Sequence, residues 1–215
     1  MSNNSRSKAF TRLDVDIRRR ELLRVGCELF AAQPYDDVWI DDVARHAGVS
    51  RGLLYHYFGS KRGFLTAVVE HEAAELLRVT EPDPTLPPRQ RMARVLDAYL
   101  DYLEAHPQGY RAIYRGAASA DSGIRAIMDA NLRHQEQRLL DALTGDASAS
   151  DALRLAVHGW LAFLIATCLA WLEHPTLDRT SLRDLCISAL DGAIRASGTR
   201  PAGRPEVAAN RVDVH

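Results

Sequence analysis

The chain has 215 residues, of which 47% are hydrophobic and 26% are charged, and its formal net charge at pH 7 is −1. This balance is typical of a globular protein and excludes wholesale disorder and a fibre. The near-neutral total hides an asymmetry, because residues 1–70 carry 11 basic and 9 acidic side chains while residues 71–215 carry 16 and 19. A mildly basic N-terminal part is typical of a nucleic-acid-binding domain, here called the head, attached to a separate C-terminal domain, here called the body.

The first elements in chain order are a polar arm and a helix. Residues 1–13 contain three basic side chains and no acid, and we expect a flexible basic arm there. Apolar residues between Leu22 and Phe30 then follow helical spacing, which predicts a first helix over about residues 14–32.

Two short helices joined by a tight turn come next. Apolar side chains at i, i+3, i+4 and i+7 predict the first of them, and these are Ile40, Val43, Ala44 and Ala47. Gly48 can adopt a positive φ and reverse the chain within a few residues. The following helix is predicted from Arg51 to Phe58, with Ser50 as its N-cap. This arrangement is typical of a helix-turn-helix unit.

The outer face of this third helix carries groups suited to contact DNA. Leu54 and Phe58 share the inner face, so Arg51 faces outward and is expected to read a guanine edge, to bind a phosphate or to remain solvated. Tyr55 and His56 are expected to contact the phosphate backbone. The full set of expected DNA-contacting residues is Trp39, Ser50, Arg51, Gly52, Leu53, Tyr55, His56 and Lys61.

A proline-rich segment separates this head from an all-helical body. Residues 81–88 hold four of the nine prolines and cannot be helical. A fourth helix is predicted from after Ser60 to about Thr80, and five longer helices are predicted after the proline-rich segment, over 89–105, 107–117, 121–143, 150–173 and 181–197. The predicted organisation is therefore all-α with about nine helices: a flexible arm (1–13), a helix-turn-helix DNA-binding domain (14–65), a ligand-binding and dimerisation domain (66–197) and a disordered tail (198–215).

The head motifs resemble those of the TetR family of bacterial transcription regulators. The residues that carry the resemblance are Leu22, Leu23, Leu29, Phe30, Ile40, Val43, Ala44, Ala47, Gly48, Val49, Ser50, Gly52, Leu54, Tyr55, Phe58 and Lys61. The resemblance implies a homodimer paired through the last two long helices, with each third helix on half of a palindromic operator. It also implies a ligand-responsive regulator, expected here to be a repressor, that is not an enzyme and needs no cofactor. Where the family usually has Thr or Ser before the second helix, this chain has Val38 and Trp39, so the indole N–H of Trp39 is the candidate phosphate donor instead.

Aromatic and polar residues of the body could line an effector pocket. The expected ligand-binding residues are Tyr99, Tyr110, Tyr114, Met128, Asn131, His134, Trp160, Phe163 and Thr167. Core packing and the dimer interface are the alternative roles for each of them. The aromatic content favours a small hydrophobic or amphipathic effector.

The sequence also bears on two other functional classes, a protein-interaction module and an enzyme. The body could instead be a protein-interaction module without a small-molecule effector, which a body lacking a cavity of about 300 Å³ would favour. An enzyme is disfavoured because the sequence has no nucleophile elbow, phosphate loop, paired-carboxylate motif or metal motif.

The cysteines and the apolar segments indicate the compartment. Cys27, Cys168 and Cys186 are an odd number without metal-ligand spacing, which is typical of buried thiols in a reducing cytoplasm. The N-terminus has no apolar signal segment, and the apolar stretch at 160–172 is too short to span a bilayer. We therefore expect a cytoplasmic protein with no metal site and no membrane partner.

Overall fold

The structure is a computed structural model that describes residues 3–33, 37–115, 121–145 and 148–198. Within these residues the chain forms nine α-helices and no strand. The helices are α1 Asn3–Ala32, α2 Ile40–Ala47, α3 Arg51–Phe58, α4 Lys61–Val79, α5 Pro88–Ala105, α6 Pro107–Arg115, α7 Ser122–Thr144, α8 Asp151–Glu173 and α9 Arg179–Ala196. The predicted all-α fold with an N-terminal helix-turn-helix is confirmed.

The first helix begins earlier than the sequence predicted. The sequence predicts a flexible arm over residues 1–13, whereas α1 begins at Asn3 and continues unbroken into the apolar segment. Residues 3–13 contain neither glycine nor proline, so their backbone chemistry does not interrupt a helix. The helix start predicted at residue 14 is therefore wrong.

The ends of the predicted arm and tail lie outside the described residues. This holds for residues 1 and 2 and for residues 199–215, so the prediction of a disordered tail remains a prediction. The described chain ends at Gly198, which follows α9 with a φ of 72°.

Helices α1 to α4 enclose one apolar core. Its most deeply buried side chains include Val43, Leu54 and Phe64, each at most 1% exposed. Helix α7 contributes Ile124, which is fully buried in the same core. Helix α4 also crosses residue 65, where the sequence analysis divides head from body. The head is therefore joined to the body by a continuous helix and by a shared part of its core.

The body packs around a second core formed mainly by α5, α8 and α9, with parts of α4, α6 and α7. Leu103, Leu153 and Val157 are fully buried in it. The proline-rich segment predicted as a break lies between the end of α4 at Val79 and the start of α5 at Pro88.

The body helices begin and end within a few residues of their predicted bounds. Helix α9 begins at Arg179 instead of residue 181, because the carboxylate of Asp178 caps it by accepting the Ser181 backbone N–H at 2.9 Å. The predicted end of α6 at residue 117 falls in residues 116–120, outside the described residues.

Helix α8 is the most apolar element of the body. In the part of the chain that the structure describes, it is the one helix long and apolar enough to cross a membrane, by length and composition alone. A core helix passes the same test, and the inner side of α8 belongs to the body core. Only 33% of its apolar window is buried within the protomer, so much of this helix faces outward.

Candidate nucleic-acid interface and effector cavity

The turn between α2 and α3 has the geometry of a helix-turn-helix unit. Gly48 ends α2 with φ 64° and ψ 33°, the left-handed conformation that glycine adopts without strain. The backbone N–H of Val49 donates to the Ala44 carbonyl at 2.9 Å and closes the turn. The tight reversal that the sequence predicted at Gly48 is thus present.

The outer side of α3 carries the predicted DNA-contacting groups together. Arg51, Gly52, Tyr55 and His56 are exposed and form what we call the reading face, while Leu53 is half-buried beside it. The Ser50 hydroxyl accepts the Leu53 backbone N–H at 3.2 Å and caps the helix. The cap and the buried core side of α3 fix the position from which the reading face projects.

Arg51 forms an ion pair that the sequence analysis missed. Its Nε lies 2.7 Å from the Oδ1 of Asp41 on α2, and both side chains are 61% exposed. Such an exposed pair contributes little to stability and can exchange its partner at small cost. Asp41 therefore holds the Arg51 side chain against α2 only weakly. The sequence gives no signal for this pair, because it depends on the angle between the two helices.

Trp39 and Lys61 form a second contact at the edge of α3. The Lys61 ammonium lies 5.1 Å from the centroid of the Trp39 ring, which is a cation–π distance. Trp39 occupies the N-cap of α2 without a side-chain cap hydrogen bond and is 64% exposed. As the sequence predicts, α2 therefore lacks a hydroxyl cap. The indole instead lies next to the Lys61 ammonium at the N-terminus of α4.

The body contains a cavity of about 150 Å³ between α4, α5, α7 and α8. Four of the predicted effector residues line it, and these are Tyr99, Tyr114, Asn131 and Trp160. A smaller cavity of about 50 Å³ adjoins it and is lined by the predicted residues Tyr110, Tyr114, Met128 and Asn131. Six of the nine predicted residues thus surround these two adjoining spaces.

Hydrogen bonds hold the polar groups of the cavity wall. The hydroxyls of Tyr99 and Tyr110 lie 2.6 Å apart, and burial raises the pKa of both phenols well above the usual value. The two phenols are therefore neutral at physiological pH. The Asn131 side-chain amide donates to the Ala73 carbonyl at 2.9 Å and links α7 to α4.

Three predicted effector residues line neither cavity. His134 and Phe163 are exposed, and Thr167 is half-buried on another side of α8. Conversely, the polar residues Arg91, Gln135 and Arg138 line the larger cavity without having been predicted. Arg138 follows Asn131 by seven residues, a spacing that places both on one side of α7. From that spacing, Arg138 could have been predicted to line the same cavity as Asn131.

The cysteines are buried and the structure assigns them no metal. Burial raises the pKa of Cys168 to about 12 and that of Cys186 to about 11. Burial and the neighbouring Glu72 carboxylate also raise the pKa of Cys27. Over the described ranges, no group of three or more His, Cys, Asp or Glu side chains could hold a metal ion.

Comparison with known proteins assigns both halves of the chain to one kind of regulator. The family model described as "Bacterial regulatory proteins, tetR family" matches residues 22–68. The model described as "Tetracyclin repressor-like, C-terminal domain" matches residues 88–190.

Individual relatives and a solved structure agree with this assignment. The chain is 27% identical over 192 residues to the HTH-type transcriptional activator FasR of Mycolicibacterium smegmatis, a match that covers 86% of this chain and 83% of FasR. It is 30% identical over 147 residues to the HTH-type transcriptional regulator BetI of Escherichia coli, covering 68% of this chain and about half of BetI (53%). A tetR-family transcriptional regulator from Streptomyces coelicolor has a similar structure, with a TM-score of 0.78, 27% identity and coverage of 85% of this chain and 82% of that one. The chain therefore belongs to the TetR family of bacterial transcriptional regulators, which are DNA-binding proteins and not enzymes.

Proposed function

We propose that the chain binds a palindromic operator as a homodimer and is released from it by a small hydrophobic or amphipathic effector. The observation that carries the proposal is the exposed reading face on α3, held from behind by the buried Leu54. A helix-turn-helix dimer binds two half-sites about 34–36 Å apart, one turn of DNA, so pairing of the protomers sets operator recognition.

The proposed dimer surface consists of the outward sides of α8 and α9. The exposed small or apolar residues of α8 that contribute to this surface are Leu155, Gly159, Ala162, Phe163 and Ala166. Leu155 is 72% exposed, and Leu185 on α9 is 43% exposed. Small side chains allow helices to pack at short distance, and an exposed apolar surface is stabilised when a second copy covers it.

A charge placed on this surface tests the dimer. We expect Ala162→Glu to give a folded monomer in sedimentation-velocity experiments and to weaken operator binding. The matched control is Ala130→Glu, because Ala130 is also exposed but lies on α7. A dimer that persists in Ala162→Glu would contradict the proposed surface.

Helix α4 provides the connection through which the effector would act. Leu76 on its last turn and Thr80, which follows the helix, line the larger cavity, and Lys61 at its first residue adjoins α3. A molecule that fills the cavity and moves the end of α4 would therefore change the separation of the two reading faces. Coupling of this kind is reciprocal and typically amounts to about 1–3 kcal/mol.

We further propose that the regulator is a cytoplasmic repressor. FasR is named as an activator, so the direction of regulation is not inherited from that relative. The test is a reporter gene placed behind a bound operator, which repression predicts to be silent until the effector is added. Transcription that falls when the regulator is removed would instead indicate activation.

The decisive experiment is selection of bound fragments from random DNA, followed by footprinting. We expect an inverted repeat with half-sites one turn apart. Recovery of DNA without two-fold symmetry would overturn the dimeric operator proposal. Candidate molecules are then screened for release of the selected fragment.

A second candidate keeps DNA binding but makes the body a protein-interaction module. The size of the larger cavity favours it, because about 150 Å³ is below the roughly 300 Å³ of common ligand pockets. An engineered cavity of about 150 Å³ nevertheless holds benzene, so a small effector has room. A screen in which no small molecule changes operator affinity, while a co-purified protein does, would favour the second candidate.

A further inference from the structure

The wall of the larger cavity combines apolar side chains with two arginines. Arg91 from α5 and Arg138 from α7 both line it, and no Asp or Glu is among its described lining residues. The opposite wall is apolar and includes Leu161, Leu164 and Ile165 of α8. The cavity is thus amphipathic, with its cations near the connection between α4 and α5.

Arg91, which lines this cavity, has one enclosed donor without a partner. One of its terminal nitrogens, Nη2, donates to the carbonyls of Pro84 and Leu86 at 2.9 and 3.0 Å, which fixes the guanidinium. Its Nε is buried and has no hydrogen-bond partner among the described residues. A buried N–H on a charged group costs free energy unless an acceptor reaches it.

Arg138 is fixed nearby by the end of α4. Its Nη1 donates to the Leu77 carbonyl at 3.0 Å, and its Nη2 donates to the Thr80 carbonyl at 2.6 Å. Glu81 lies 3.3 Å from Nη2, but its side chain is 72% exposed and lies outside the cavity wall. Glu81 therefore offsets part of the Arg138 charge, although the Arg138 side chain itself lines the same cavity as Arg91.

We propose that this cavity binds an apolar molecule that carries an anionic head group, with the head group on Arg91. The inference rests on the proposed function and specifies the chemical class of its effector. An anion would pair with the Arg91 guanidinium in charge-assisted hydrogen bonds and, after a shift of that side chain, would give the enclosed Nε its missing acceptor. The apolar part would contact the α8 wall. A cation of the same shape would meet the Arg91 charge in a wall that has no Asp or Glu among its described lining residues.

The first test compares head groups on the wild-type protein. Straight-chain carboxylates of six to twelve carbons, their methyl esters and the corresponding primary amines are titrated by calorimetry. We expect at least one carboxylate to bind at least tenfold more tightly than its ester and its amine. Equal affinity of acid and ester, or no binding by any acid, would overturn the inference.

The second test replaces the arginine at residue 91. We expect Arg91→Met to weaken binding of that carboxylate at least tenfold while leaving ester binding within about twofold, because the apolar wall is unchanged. Arg91→Lys keeps the charge but removes Nε, so its affinity for the carboxylate should lie between those of the wild type and Arg91→Met. Arg94→Met is the matched control, because Arg94 lies on the same helix, is 69% exposed, pairs with Asp83 and does not line the cavity.

The remaining outcomes separate this inference from the proposed function. Loss of acid and ester binding in parallel in Arg91→Met would overturn the head-group role of Arg91. A carboxylate that binds as expected but leaves operator affinity unchanged would instead contradict effector-controlled release. An ester that binds as tightly as the acid and releases DNA would contradict only the anionic head group.

Discussion

Arg62 and Asp121 form a two-bond ion pair that connects the head directly to α7. The Arg62 Nε lies 2.7 Å from Oδ2 of Asp121, and the Nη2 donates to Oδ1 at 3.0 Å. The same carboxylate caps α7 by accepting the backbone N–H groups of Gly123 and Ile124 at 2.8 and 3.2 Å. Since α7 also lines the larger cavity, one helix contacts both this cavity and, through its cap Asp121, the first turn of α4. The ion pair of Asp121 thus links body and head by a contact additional to the continuous helix α4.

The pair predicts a pH dependence of stability. The Arg62 guanidinium and the capped N–H groups lower the pKa of Asp121 below its usual 3.8. Because the folded pKa is lower than the unfolded one, the pair stabilises the protein above about pH 4, and the stabilisation is lost as pH falls through the folded pKa. We therefore expect a double-mutant cycle of Arg62→Met and Asp121→Asn, measured by urea unfolding, to show coupling at pH 7 that shrinks at pH 3.

Asn is chosen at residue 121 because it can still cap α7 while lacking the charge. Asp178→Asn serves as the control, since Asp178 caps α9 and has no contact with Arg62. Coupling between Arg62 and Asp121 that is equal at both pH values would contradict an ionic origin.

The head could be predicted from sequence because its determinants are local. Val43, Gly48, Ser50 and Leu54 each fulfil a requirement set by residues a few positions away: a buried face, a reversal or a cap. Such local requirements predict the same helices and turn whatever other elements pack against them. The ion pair between Arg51 and Asp41 was missed because it depends on the crossing of two helices.

The cavity could be predicted only in part, because periodicity shows which residues share a helix face and not which face points inward. Asn131 and Arg138 share a side of α7 that lines the cavity, while His134 lies on its exposed side. Phe163 belongs to the exposed side of α8. The burial of Arg91 depends on how the α4–α5 connection folds back over it, as its bonds to the Pro84 and Leu86 carbonyls show.

Arg51 and Lys61 should affect DNA binding differently. We expect Arg51→Ala to lose about 1–3 kcal/mol on the operator and to relax preference at one base position. Lys61→Ala should weaken operator and random DNA alike and lower the slope of log affinity against log salt by about one. Gel-shift titrations over a range of salt concentrations measure both.

The Asp41–Arg51 pair supplies the control for this comparison. Asp41→Asn removes a negative charge beside the reading face and leaves the Arg51 side chain in place, so we expect tighter binding to random DNA and a smaller specificity ratio. Equal losses on both DNAs for Arg51→Ala would show that Arg51 contacts only phosphate.

Substitution of two glycines of the head by alanine should affect different properties, DNA binding in one case and stability in the other. A Cβ at Gly52 would meet only the Ser50 Oγ at 3.8 Å, so we expect Gly52→Ala to remain folded but to bind DNA more weakly, because the methyl group projects from the reading face. A Cβ at Gly63 would overlap the Phe58 carbonyl oxygen, so Gly63→Ala should be strongly destabilised. Thermal unfolding and gel shift separate the two effects. A stable Gly63→Ala would contradict the close approach of α4 to the end of α3.

The buried thiols should be unreactive in the native protein. Burial raises the pKa of Cys186 to about 11 and that of Cys168 to about 12, so the thiolate that reacts with alkylating reagents is scarce at pH 8. We expect negligible labelling by iodoacetamide at pH 8 until urea unfolds the protein, and an exposed thiol introduced by Ala130→Cys should react at once as the control. Because the unfolded thiols ionise near pH 9 while the folded ones stay protonated, the free energy of unfolding should also fall as pH rises from 9 to 11. Rapid labelling of the native wild-type protein would show that these cysteines open to solvent and could respond to oxidants.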